Sequence, residues 1–252
     1  MAVTEGQIAS VGFRFVNVQQ IKFHQKMLDG IAGNPWQYRI LSDILLIPLR
    51  SIFWRLGIPN PDASAFISFR FAQSLLILTC AEIYYRKLSI NPFLNFIGLS
   101  ILAWGMSYSL YDSELSFNTF FDIAFYLAGA ILILDRKFIL IIPLTLFAAL
   151  NRETSVLIPL MLAFFIIFNA GDIGYQKRSL AYAGIALIIF LVTFVALRLF
   201  YGEQPFITAD GNTPGFGTLR YNLFRWVTWQ QISLTLGVIP ILAILSYKYY
   251  PK

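Results

Sequence analysis

Asn151-Arg152-Glu153-Thr154 sets a guanidinium beside a carboxylate between two apolar runs, residues 138–150 and 155–168. The chemistry open to such a pair is anion recognition. An arginine forks onto a phosphate through parallel charge-assisted hydrogen bonds, and a neighbouring carboxylate can orient it. The same residues also suit a helical hairpin. Arg152 would end one helix and Glu153 begin the next, each complementing a helix dipole, with Thr154 or Ser155 as cap. Charges flanked by apolar sequence are costly unless they meet water. The pattern therefore implies a membrane hairpin with Arg152 and Glu153 at one surface.

Three other groups could do chemistry. Residues 111–116 hold Asp112 and Glu114 in a short connection. Either carboxylate could bind a divalent cation or activate an acceptor hydroxyl; equally, both could favour the helix that starts at Phe117. Residues 23–30 read as a helix stopped by Gly30. A turn at Gly33-Asn34-Pro35 follows, and then Trp36-Gln37-Tyr38-Arg39. Tyr38 and Arg39 fit a head-group belt, and they fit a bound lipid phosphate as well. His24, the only histidine, reads more readily as a structural hydrogen-bonder than as a base. Asp122 lies inside an apolar run, where a carboxylate is a functional candidate by default. Glu82 has Arg86 four residues on and reads as a local ion pair.

The elements that carry these groups follow from composition. Of 252 residues, 58% are hydrophobic and 13% charged, and mean hydropathy is +0.67. A soluble domain is about half apolar and a quarter charged. The fold class expected is all-α: a polytopic helical membrane protein with seven or eight transmembrane helices and an N-terminal interfacial or juxtamembrane helical region. Seven spans are read at about 66–84, 93–110, 117–134, 138–150, 155–168, 180–200 and 232–246. The fourth and fifth are short for about 30 Å of hydrocarbon. Residues 40–57 are apolar but hold Asp43, Pro48, Arg50 and Arg55. They read either as an eighth span or as an interfacial helix. Two regions result, 1–65 and 66–252, with an outward loop at 201–231 whose Leu219, Leu223, Trp226, Val227 and Gln230 suggest a surface helix.

Charge assigns the sides. Arg86, Lys87, Arg136, Lys137, Lys177, Arg178, Lys248 and Lys252 fall in alternate connections, which places those connections in the cytoplasm of a prokaryotic plasma membrane. The connections at 111–116, 151–154 and 201–231 then face outward, with Arg70 and Arg198 able to snorkel to that side. The net charge of +6 belongs to this loop pattern and lipid contact, so no nucleic-acid partner is expected. Cys80 is the single cysteine, which excludes an intrachain disulfide and a cysteine-rich zinc site. Neither a leader sequence nor an oligomeric state is legible.

This outer-face pattern resembles the GT-C superfamily of membrane glycosyltransferases. Residues 23–49 are similar to the end of that superfamily's first extracytoplasmic loop. There a helix ends in Gly, followed by a Pro, an aromatic and an Arg, then juxtamembrane helices. The acidic loop at Asp112 and Glu114 and the Arg-Glu-Thr at 152–154 recur at matching places. The resemblance implies transfer of a sugar from a lipid-phosphate carrier to an acceptor outside the cytoplasm. It implies Tyr38, Arg39, Arg152 and Glu153 as substrate-binding residues, and Asp112 and Glu114 as catalytic or metal candidates; a divalent cation is the one cofactor suggested. The superfamily's catalytic acid follows a first span, whereas here only Glu5 lies near the start. A shortened chain or a lost span, and an inactive protein, are expectations that follow. A transporter or a non-catalytic membrane subunit is the alternative.

Overall fold

The computed structural model describes residues 1–108, 117–168, 177–205 and 216–230. Asp112 and Glu114, the rest of their loop, and the span read at 232–246 lie outside these residues. Among the described residues the structure is helical, with no β-strand. By packing, the chain divides into two units, Met1–Gln204 and Pro205–Lys252.

In the first unit α1 (Ala2–Val11), α2 (Gln20–Leu28) and α3 (Leu41–Arg55) precede the long α4 (Pro61–Lys87) and α5 (Pro92–Tyr108). Then come α6 (Phe117–Leu134), α7 (Ile141–Asn151), α8 (Leu157–Ile167) and α9 (Lys177–Tyr201). A 3₁₀ turn precedes each of α7 and α8, at Phe138–Leu140 and Glu153–Val156. Among the described residues three helices are long and apolar enough to cross a membrane: Pro61–Lys87, Phe117–Leu134 and Ser179–Tyr201. Pro92–Ser107, Phe138–Asn151 and Glu153–Ile167 are apolar but shorter.

α2 ends at Gly30 as its sequence requires. Ile31 N–H reaches back to the Lys26 carbonyl (3.0 Å) and Gly30 N–H to that of Met27 (3.3 Å). This closure needs a left-handed residue at Gly30, where φ is +75°. α3 covers residues over which the sequence left two readings open, and it is not among the helices long and apolar enough to cross. Two of its charges are paired nearby: Arg50 Nε with Asp62 Oδ1 at 2.6 Å, Asp43 Oδ1 with His24 Nδ1 at 2.5 Å. Glu82 and Arg86 form the expected i,i+4 pair at 2.6 Å.

The core runs in two stacks. α4 packs along α6 and α7 along α9. Phe66, Phe69 and Phe117 join Val16 and Leu46 in one apolar cluster. Ile77 and Phe120 join Val3 and Met106 in another. Ile141, Ala148, Ile158, Leu162, Ile166 and Ala186 fill the seam between α7, α8 and α9.

Arg70 departs from the sequence expectation. It does not snorkel to an outer rim: it is fully buried, and its guanidinium has no hydrogen-bond partner among the described residues. The reason is the α4–α6 contact, which lays Phe120 and Phe117 over it with ring centres 3.7 and 5.3 Å from the guanidinium carbon. The ring faces attract this cation through their quadrupoles.

In the second unit α10 (Phe216–Phe224) is followed by a further helical stretch at 226–230. Leu219, Leu223, Phe224 and Trp226 are exposed there, and the Arg225 guanidinium lies 5.0 Å from the Tyr221 ring centre. Leu219, Leu223, Trp226 and Val227 lie on the helical stretches where the sequence suggested a surface helix.

Candidate functional site

The residues at the end of α7 form a hub. Asn151 is fully buried. Its side-chain amide donates to the Asn118 carbonyl and to Asp122 Oδ1, both at 2.8 Å. The next residue, Arg152, leaves the helix with extended backbone (φ −165°, ψ 152°). That turn carries its side chain back over the start of α6, where Nη1 donates to Thr119 Oγ1 at 3.2 Å and to Asp122 Oδ2 at 3.3 Å. Thr154 Oγ1 donates to the same Asp122 oxygen at 3.1 Å. Asp122 thus accepts from three consecutive-turn side chains, a sufficient reason for a carboxylate within an apolar helix.

The capping expectation is not met. Neither Thr154 nor Ser155 caps α8 through its side chain. Thr154 is turned to Asp122, and Ser155 Oγ donates to the Arg152 carbonyl at 2.7 Å. A 3₁₀ turn intervenes before α8, so the hydroxyls sit one turn early for a cap.

Glu153 points the other way, toward Arg39. Arg39 follows the 3₁₀ turn Trp36–Tyr38, whose ring at Trp36 lies 5.0 Å from the guanidinium carbon. Arg39 Nε and Nη2 donate to Glu153 Oε2 at 3.3 and 3.1 Å. Burial pulls the Arg39 guanidinium below its ordinary pKa, and the charge of Glu153 opposes that fall.

Arg198 closes the cluster from α9. Its Nη2 approaches Glu153 Oε1 at 3.9 Å. The same guanidinium carbon is 3.4 Å from the Phe194 ring centre and 4.5 Å from that of Tyr38. Tyr38 is itself buried, and its hydroxyl donates to the Gly202 carbonyl at 2.9 Å.

Four sequence candidates, Tyr38, Arg39, Arg152 and Glu153, therefore meet in one place, although some 110 residues separate the two pairs. Asp122 and Arg198 belong to the same cluster. Asp122 was legible as an intramembrane carboxylate; Arg198 was legible only as a cation at the same end of its apolar run. Arg39, Arg152 and Arg198 face Asp122 and Glu153, three cations against two anions, so the described cluster carries an excess positive charge. Two of its buried polar atoms, Arg152 Nε and Glu153 Oε1, have no hydrogen-bond partner among the described residues. Such an arrangement has the charge to receive an anion.

The opposite end of α6 carries a different set. Asp135 is paired with Lys87 and, at 3.5 Å, with Lys137. The hydrogen bond from Lys87 holds the Asp135 carboxyl below the usual range. α6 spans 18 residues, about 27 Å at helical rise. The lysine-rich turn and the arginine cluster therefore lie at opposite ends of one helix.

His24 acts as a clasp. Its Nδ1–Asp43 bond ties α2 to the first turn of α3 in a site where His24 is 1% exposed. Burial raises the Asp43 carboxyl, and the hydrogen bond to His24 opposes the rise. Among the described residues no group of three His, Cys, Asp or Glu is placed to hold a metal ion. Comparisons of the chain with protein-family models, with curated proteins and with solved structures found no match.

Proposed function

We propose that this protein is a multi-pass membrane glycosyltransferase of the GT-C kind, moving a sugar from a lipid-phosphate carrier to an acceptor on the extracytoplasmic side. The observation that supports it most is the meeting of Arg39, Arg152 and Arg198 at one end of the helical unit, far from the Lys87–Asp135–Lys137 end. A single phosphodiester brings one negative charge, which matches the excess of the described cluster. The basic connections then lie in the cytoplasm and the arginine cluster outside.

The transfer is inverting in this reading. A carboxylate takes the proton of the acceptor hydroxyl, the hydroxyl oxygen forms the new bond to the anomeric carbon, and the bond from that carbon to the phosphate oxygen breaks. Its electron pair leaves on the lipid phosphate, where Arg39 and Arg152 stabilise the charge. Asp112 and Glu114 are the proposed proton acceptors or ligands of a divalent cation. Asp122 is already held by Asn151, Arg152 and Thr154. It is therefore assigned to positioning, which weighs against a transporter built on a free carboxylate in α6.

The test is transfer of radiolabelled sugar from a panel of polyprenyl-monophosphate hexoses and pentoses to membrane acceptors by the purified chain in nanodiscs. Arg152→Ala should lower transfer by about 10²-fold, the scale of losing one charge-stabilising donor group, with the protein still expressed and helical. Transfer by Arg152→Ala at the wild-type rate would remove Arg152 from the site.

A further inference from the structure

We infer that Glu153 is a built-in stand-in for the ligand anion: its carboxylate occupies the place between Arg39 and Arg198 that a phosphate would take, and sets how tightly that phosphate binds. The inference rests on the anion-site reading above and deepens it.

The geometry is that of an occupied receptor. Arg39 presents two N–H groups to one carboxylate oxygen, Glu153 Oε2, at 3.3 and 3.1 Å. Arg198 approaches the other oxygen at 3.9 Å, too far for a hydrogen bond, and that oxygen is buried with no hydrogen-bond partner among the described residues. The two guanidinium groups come from different elements, the segment after Trp36–Tyr38 and the end of α9, and converge on this one side chain. Each is backed by an aromatic ring, Trp36 behind Arg39 and Tyr38 against Arg198. The rings hold the guanidinium groups in place without using their donors.

A lone carboxylate satisfies this receptor poorly. Arg198 gives Nη1 to the Phe194 carbonyl at 3.3 Å and reaches no carboxylate within hydrogen-bond distance among the described residues, and Arg152 Nε is buried next door with no hydrogen-bond partner among them. A tetrahedral phosphate offers more acceptor oxygens than a carboxylate, enough to meet Arg39 and Arg198 together. It would have to displace Glu153, because two anions in one pocket repel strongly. Glu153 therefore offsets the mutual repulsion of the two arginines, keeps the site closed to weak anions, and gives way to a ligand that brings its own apolar anchor.

A purely structural ion pair makes the opposite prediction, so the sign of the effect decides. The probe is dodecyl phosphate, a single-chain lipid monophosphate, with inorganic phosphate as the unanchored anion and dodecanol as the uncharged chain. Binding is measured on the full chain in nanodiscs at fixed salt, with thermal unfolding as the check of folding. Glu153→Gln should bind dodecyl phosphate about tenfold tighter than wild type, the scale expected for removing a competing like charge. Inorganic phosphate should gain by a similar factor, and dodecanol should not change. Glu153→Asp, which keeps the charge, should stay near wild type, and Arg39→Gln should lose binding.

Equal or weaker binding by Glu153→Gln, with wild type binding and Arg39→Gln not, overturns the stand-in and leaves the anion site standing. Failure of wild type and Glu153→Gln alike to bind dodecyl phosphate overturns both. Gains by Glu153→Gln and Glu153→Asp alike also overturn it, because charge would then not be the cause.

Discussion

At the scale of single residues, Asn151, Arg152 and Glu153 divide one task between neighbouring elements. Asn151 and Arg152 grip α6 through Asp122, and Glu153 turns to Arg39. The pairing of Arg152 with Glu153 in the sequence suggested that one orients the other; the two point apart because the backbone is extended at Arg152. The partners across the fold, Arg39 for Glu153 and Asp122 for Arg152, could not be read from spacing, since nothing in a single sequence fixes which helices neighbour one another. Arg70 was misread for the same reason. Its position near one end of an apolar run favours snorkelling only if no aromatic face covers it. Asp43 yields a measurable consequence. Burial raises its carboxyl, so protonation favours the folded state. The stability this group contributes is fully present below the ordinary carboxylate pKa of about 3.9. It is lost as pH rises through the raised value. Thermal unfolding of the wild type should therefore fall over that rise more than that of Asp43→Asn. An identical pH profile for both would show that the His24 clasp does not sense the charge of Asp43.

At the scale of helices, boundaries followed local rules where those rules are backbone rules. Gly30 ends α2 because only a left-handed residue completes its closing hydrogen bonds. Leu134, read as the end of one run, is the end of α6. α4 closes in the way α2 does, but with Ser89 at φ +56° where glycine would serve better. Ile90 N–H reaches the Tyr85 carbonyl at 3.2 Å and Ser89 N–H that of Arg86 at 3.0 Å. Ser89→Gly should raise stability by about 1 kcal/mol by removing the Cβ clash of that conformation, seen as a higher melting temperature; an unchanged or lower value would place the strain elsewhere. The residues before α7 and α8 were less legible. Apolar runs mark where a helix lies but not where it tightens into 3₁₀ geometry, and the turns at Phe138–Leu140 and Glu153–Val156 carry no breaker of their own.

At the scale of the whole molecule, membrane character was legible because it is a sum over composition, and the three long apolar helices agree with it. The sequence reading took the number of spans from apolar runs and their direction from the Lys and Arg of alternate connections. The hairpin that carries Arg152 has a further consequence. Its first arm, Phe138–Asn151, holds 14 residues, about 21 Å of helix, against a hydrocarbon slab of about 30 Å. In the proposed topology, with Lys137 at one face, the hairpin tip would stop several ångströms short of the other. A head group would then meet the guanidinium trio only at the floor of a dimple, wherever the lipid sheet thins to admit it. Acyl-chain length becomes a control knob: nanodiscs of 14-carbon phosphatidylcholine should capture dodecyl phosphate more tightly than those of 22-carbon lipid, and indifference to that change would put the tip level with the surface.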